Sequence, residues 1–139
     1  MIQLIVGEKG KGKTKHLLEK VNASAKTSNG NIVYLDKNSK HMYELNNKVR
    51  LIDVSDYFIE NFSEFLGFVC GIISQDHDLE QMYLDSFFPI SKAEIADMDA
   101  CIDKLEKVGD KFGVDFVIAV SLKESDLSEN AKSKVIISL

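Results

Sequence analysis

The stretch "GEKGKGKT", residues 7–14, decides how this chain is read. It fits the pattern G-x-x-x-x-G-K-[ST] at every fixed position: Gly7, Gly12, Lys13 and Thr14. The residue types answer to one chemistry. Glycines let consecutive backbone N–H groups turn inward around a phosphate with no Cβ in the way. A helix that begins inside the loop adds its positive end. The Lys13 ammonium can span the β- and γ-phosphates of a nucleotide, and the Thr14 hydroxyl can ligate Mg²⁺. Four fixed positions arise by chance in roughly one chain of this length in a few hundred, so the flanks must add weight. "IQLIV" (2–6) reads as a strand stopping at Gly7. "KTKHLLEKVNASAKT" (13–27) carries Leu17, Leu18, Val21 and Ala25 at helical spacing. The expected nucleotide-binding residues are Gly7, Glu8, Lys9, Gly10, Lys11, Gly12, Lys13 and Thr14, with Lys13 the group that would act on phosphate charge.

Beyond the loop, short apolar runs alternate with helical patterns. "NIVYLD" (31–36), "VRLIDV" (49–54), "QMYLD" (81–85) and "VDFVIAVSL" (114–122) read as strands, and "KVIISL" closes the chain as a possible sixth. A short polar link, open to a helical reading, covers about 38–47. "DYFIENFSEFLGFVCGIIS" (56–74) reads as a core helix. Its Gly67 and Gly71 share one face and are expected to permit close packing. "SKAE" (91–94) has the capping-box pattern, ahead of an apolar stripe from Ile95 to Val108, with Gly113 as a helix stop. A short helix is expected near Ser125 or Asp126. Strands separated by helices imply right-handed crossovers and a mostly parallel sheet covered on both faces. The predicted architecture is a three-layer α/β/α sandwich with five to six strands, forming a single nucleotide-binding domain over residues 1–139. Ligands of such sheets bind at the carboxyl ends of the strands, where Gly7 lies.

Composition agrees with an ordinary globular chain: 139 residues, 45% hydrophobic and 28% charged. The net charge of -5 disfavours bulk binding to nucleic acid. The local patch of Lys9, Lys11, Lys13 and Lys15 reads as serving a nucleotide instead. The apolar tail of residues 56–74 is too short to span a bilayer, so no membrane partner is expected. No charged-then-apolar leader is evident, and the expected location is cytoplasmic. Cys70 and Cys101 lie in apolar helical patterns without a C-x-x-C partner and read as buried thiols. His16, His41 and His77 are scattered, and no histidine metal site is expected.

A phosphate loop needs a second carboxylate at another strand end to hold Mg²⁺. Asp85 after "QMYL" and Asp53 after "VRLI" are the main candidates, and Asp36 is a weaker third. The succession of phosphate-loop strand, "NIVYL", "VRLID", long helix, "MYLD", helix and "FVIAVSL" resembles the core of thymidine kinase and related P-loop ATPases. The resemblance spans about residues 1–122 in element order. It implies the P-loop NTPase fold, with Walker A at residues 7–14 and the Walker B aspartate at Asp85. It also implies that the next strand runs beside the loop strand and ends in a polar sensor near Ser121. The whole chain is also similar to short bacterial P-loop ATP-binding proteins, some of which carry a twitching-motility label. There are departures. Thymidine kinases follow the Walker B aspartate with a glutamate base, where this chain has Ser86. Their four-cysteine zinc lobe and nucleoside lasso have no counterpart here. Glu8 stands where partitioning ATPases carry an extra lysine.

Two replacements for the absent base are open: Glu60 and Glu64, which share a helix face. Arg50, the only arginine, is a candidate finger in trans. The function expected is Mg²⁺-dependent binding of ATP or GTP, with Thr14 and Asp85 on the metal. That describes a nucleotide-dependent switch or binding module with weak or partner-dependent hydrolysis, its partner a second protein or further copies of itself. A small ATPase or kinase acting as an oligomer is the alternative.

Overall fold

The structure, a computed structural model describing residues 1–139, places six strands: β1 (Ile2–Val6), β2 (Asn31–Asp36), β3 (Val49–Asp53), β4 (Leu79–Leu84), β5 (Asp115–Val120) and β6 (Val135–Ser138). They form one sheet in the order β3-β2-β4-β5-β1-β6, and every neighbouring pair is parallel. Five α-helices join them: α1 (Lys13–Thr27), α2 (Phe62–Ser74), α3 (Phe87–Ser91), α4 (Met98–Phe112) and α5 (Glu129–Lys132).

Side chains alternate across each strand, so every strand feeds two cores. On one face α1 lays Leu17, Leu18, Val21 and Ala25 against Ile5, Tyr34, Tyr83 and Ala119. On the other face α2 and α4 bring Phe65, Val69, Ile102 and Leu105 to Leu4, Leu35, Leu84 and Ile118. β1 and β5 are buried on both sides, which is why they read as unbroken apolar runs. This is the expected three-layer α/β/α sandwich, with all six strands parallel.

The sheet order positions the site. β5 lies between β1 and β4. The helices that follow the adjacent strands β1 and β5 leave to opposite faces. α1 packs on one face, and α5 contributes Ala131 to the other core. Their divergence opens a crevice at the carboxyl ends of the strands. No helix is long and apolar enough to cross a membrane.

Several local expectations are corrected. The helix expected from residue 56 begins at Phe62, because Val54–Tyr57 form a 3-10 turn and Phe58 adopts a left-handed backbone. The capping box is not at 91–94. Ser91 ends α3, buried, and its hydroxyl accepts from the Ala93 amide at 3.2 Å. α4 starts only at Met98, with no side-chain cap. The reciprocal cap lies at 60–64 instead. Asn61 Oδ1 accepts from the Glu64 amide at 2.9 Å, and Glu64 Oε1 accepts from the Glu60 amide at 2.8 Å. Gly67 and Gly71 allow no close approach, since a Cβ at either would meet nothing within 4 Å. Cys70 is half-buried rather than buried; Cys101 is buried, and both are free.

Replacing Asn61 by Ala should therefore cost about 1 kcal/mol in a denaturant melt, the usual value of such a cap. Glu94→Ala should stay within about 0.5 kcal/mol of the parent, as exposed sites do. The opposite ranking would return the cap to residues 91–94.

Candidate functional site

Residues 7–12 carry the chain from β1 into α1. Gly10 and Gly12 hold φ of 84° and 95°, a left-handed backbone that side chains rarely adopt. Gly12 is also the N-cap of α1, and no side chain caps the helix. The first N–H groups of α1 therefore lack side-chain partners where the helix has its positive end. They border a cavity of about 550 Å³, which Lys9, Gly10, Gly12, Lys13 and Thr14 line from the loop side. Gly7, Glu8 and Lys11 are not in its lining. The Lys13 ammonium is held down by the Gly7 carbonyl at 2.8 Å and the Glu8 carbonyl at 3.1 Å. The Glu8 side chain points to Lys123 at 4.0 Å. Burial lowers the Lys13 pKa, and the Asp85 charge opposes that drop.

Thr14 meets Asp85. The Thr14 hydroxyl donates to the carboxylate at 3.0 and 3.2 Å, and the Tyr34 hydroxyl donates to the same group at 2.8 Å. Asp85 is 3% exposed, and its position is set by these two donors. Burial, and then the Asp85 charge, raises the Tyr34 pKa, which keeps the phenol protonated as a donor. Asp53 is elsewhere. It ends the edge strand β3, and its carboxylate takes the Ser55 amide at 3.0 Å and hydroxyl at 2.6 Å.

Asp36, the weakest of the three aspartates by sequence, ends the strand next to β4. The Asp85 amide donates to the Leu35 carbonyl at 2.9 Å, so the two aspartates leave neighbouring strands side by side. Asp36 is 2% exposed, and its Oδ2 has no hydrogen-bond partner. Burial first, and the Asp85 charge second, raise its pKa to about 6. The donor set suits a hard divalent cation: a hydroxyl, a pinned carboxylate and an unsatisfied carboxylate oxygen close by.

Sequence reading missed the far wall. Lys40 and His41, from the segment read as a polar link, line the cavity together with Lys37, which joins that segment to β2. That segment is moored to α1 by Asn22, which donates to the Glu44 carbonyl at 2.8 Å and accepts from the Asn46 amide at 2.7 Å. Its place after β2, at the carboxyl end of a parallel sheet, was the available signal. Ser86 and Ser121 also line the cavity. Glu60 and Glu64 do not; Glu64 is spent on the α2 cap. Arg50 lies 3.6 Å from Asp76, whose carboxylate also accepts from Asn31, the first residue of β2. That is the end of the sheet opposite the loop.

Three non-glycine residues have positive φ: Phe58 (60°), Ser86 (59°) and Lys92 (59°). Such a backbone costs roughly 1–2 kcal/mol for a residue with a Cβ. Ser86 follows β4, Phe58 lies in the loop after β3, and Lys92 is the C-cap of α3, where a left-handed residue commonly ends a helix.

No family model matches the sequence, and no curated protein matches it. Solved structures do match by shape. A KaiC-like protein from the archaeon Pyrococcus horikoshii superposes with a TM-score of 0.61 at 17% identity, over 94% of this chain and 64% of that one. The flagellar accessory protein FlaH from Methanocaldococcus jannaschii superposes with a TM-score of 0.60 at 11% identity, over 95% of this chain and 65% of that one. The chain thus spans slightly under two thirds of the length of these structures. The likeness is one of fold: this chain shares with them the parallel α/β P-loop NTPase fold.

The raised Asp36 pKa carries a sign. The folded state holds the proton more tightly than the unfolded state, whose value is 3.8. In metal-free buffer stability should fall as pH rises from about 4 to about 6, then level off. Asp36→Asn should remove that fall and raise stability at pH 7 by about 3 kcal/mol. Paired urea melts at pH 4 and pH 7 measure this. A variant less stable than the parent at pH 7 would show that the charge is not strained.

Proposed function

We propose that this chain is a nucleotide-binding domain, residues 1–139, that takes ATP or GTP with Mg²⁺ at the loop of residues 7–14. The observation that carries this reading is the meeting of Thr14 and Asp85, 3.0 Å apart, at the uncapped start of α1 beside Lys13. Backbone N–H groups of Gly10, Gly12 and Lys13 would face the phosphates, and Lys13 would exchange its two carbonyls for phosphate oxygens. Thr14 and Asp85 would hold Mg²⁺, directly or through water. The cation, when bound, neutralises charge on the terminal phosphates. Lys37, Lys40 and His41 would close the anionic pocket from the opposite wall.

Two readings of the role follow. In the first, the domain is a switch or binding module whose bound state alters a partner or its own assembly, with slow hydrolysis. Ser86 supplies no carboxylate after Asp85, which supports it. In the second, it is a small ATPase or kinase acting as an oligomer. Asp85 is the only carboxylate that lines the cavity, so this reading takes its base from another copy or a partner.

Thermal shift with each nucleotide tests the shared claim. Mg-ATP or Mg-GTP at about 100 times its dissociation constant should add about 2.7 kcal/mol. Lys13→Ala should abolish the shift. Asp85→Asn should remove only its Mg²⁺-dependent part, and Asp53→Ala should leave it unchanged. No shift with either nucleotide at millimolar concentration sinks the reading.

Turnover separates the two roles. Specific activity that rises with protein concentration supports the oligomeric enzyme. Activity that stays negligible at every concentration supports the switch.

A further inference from the structure

Beyond the phosphate-loop cavity lies a second crevice of about 290 Å³. It shares Lys37 and Pro89 with the first cavity, so the two are neighbours across those residues. Its wall combines apolar Val54, Ile59 and Ile90 with two lysines, Lys37 and Lys92, and no acidic residue lines it. In a chain of net charge -5, two lysines without ion pairs therefore converge on one apolar crevice. Phe58 stands at its edge, 91% exposed and with φ of 60°, and Lys92 has φ of 59°. An exposed aromatic in a left-handed backbone contributes neither packing nor relaxed geometry to the fold. Lys92 borders the same crevice as the C-cap of α3.

From this we infer that the crevice binds a small organic anion, a carboxylate or phosphate carried on an apolar body. The charged group would lie between Lys37 and Lys92, and the body would lie against Val54, Ile59 and Ile90, with Phe58 covering it. Uncharged apolar molecules leave both lysines unanswered, and a bare anion leaves the apolar wall wet. Lys37 belongs to both cavities, so the second anion and the nucleotide phosphates compete for its charge. The two ligands therefore alter each other's affinity reciprocally. Placement of this crevice beside terminal phosphates rests on the nucleotide reading above; its binding of an anion does not.

Phenyl phosphate and benzoate serve as probes, with inorganic phosphate and benzyl alcohol as comparators. Isothermal titration is run on the wild type saturated with a non-hydrolysable Mg-ATP analogue, and on Lys13→Ala without nucleotide. At least one organic anion should bind one equivalent in both settings. The comparators should bind at least about tenfold more weakly. Phe58→Gly and Lys92→Asn suit a left-handed backbone and should not lower the melting temperature, yet each should weaken the probe about tenfold. Saturable binding that survives both substitutions, or no binding of either anion, overturns the inference. A wild type that fails to bind nucleotide, while Lys13→Ala still binds the probe through Lys92, overturns the nucleotide reading and leaves this one standing.

Discussion

Thr14 and Asp85 are 71 positions apart in sequence and within hydrogen-bonding distance in the fold. That contact spans an intervening strand. β1, which feeds Thr14, and β4, which feeds Asp85, do not pair; β5 lies between them. Two strand spacings are about 10 Å, so the start of α1 must lie across β5 for the hydroxyl to meet the carboxylate. β5 presents small Ala119 to the α1 side of the sheet, fully buried there. The low surface lets the helix lie close. The loop, the sheet order and the packing of α1 thus come together in one hydrogen bond.

Charge is concentrated around that bond. Lys13, Asp85 and Asp36 are the only buried charged residues, and Ser91 is the one other buried polar residue. Burying a charge is unfavourable unless it is paired and hydrogen-bonded. Lys13 has two carbonyls and Asp85 has two hydroxyls. Asp36 has one backbone N–H and one oxygen without a partner. The imbalance is local, and it sits beside the cavity rather than in either apolar core.

The loop and the alternation of strands and helices were legible because each depends on neighbours in sequence. Gly10 and Gly12 are needed for a left-handed turn, and α1 shows its apolar face in a 3.6-residue period. The caps were less legible. "SKAE" and the Asn61–Glu64 segment offer similar side chains, and the difference lies in what precedes them. Ser91 is already buried at the end of a helix, while Asn61 starts one. The 38–47 segment looked like a plain link because its role depends on Asn22 of α1 holding it in place.

By itself, the sequence determined the phosphate-type loop, the parallel α/β class and a short list of aspartates. These follow from local residue chemistry and periodicity, which any stretch of chain carries with it. The tertiary structure alone decided which aspartate faces Thr14, since that depends on strand order. It put Asp36 beside Asp85, moved Asp53 to the sheet edge and assigned Glu64 to a helix cap. It also placed Lys37 between two cavities. Each of these is a question of which carboxyl ends lie side by side, and hydrogen-bonded pairing across the sheet settles that at long sequence separation.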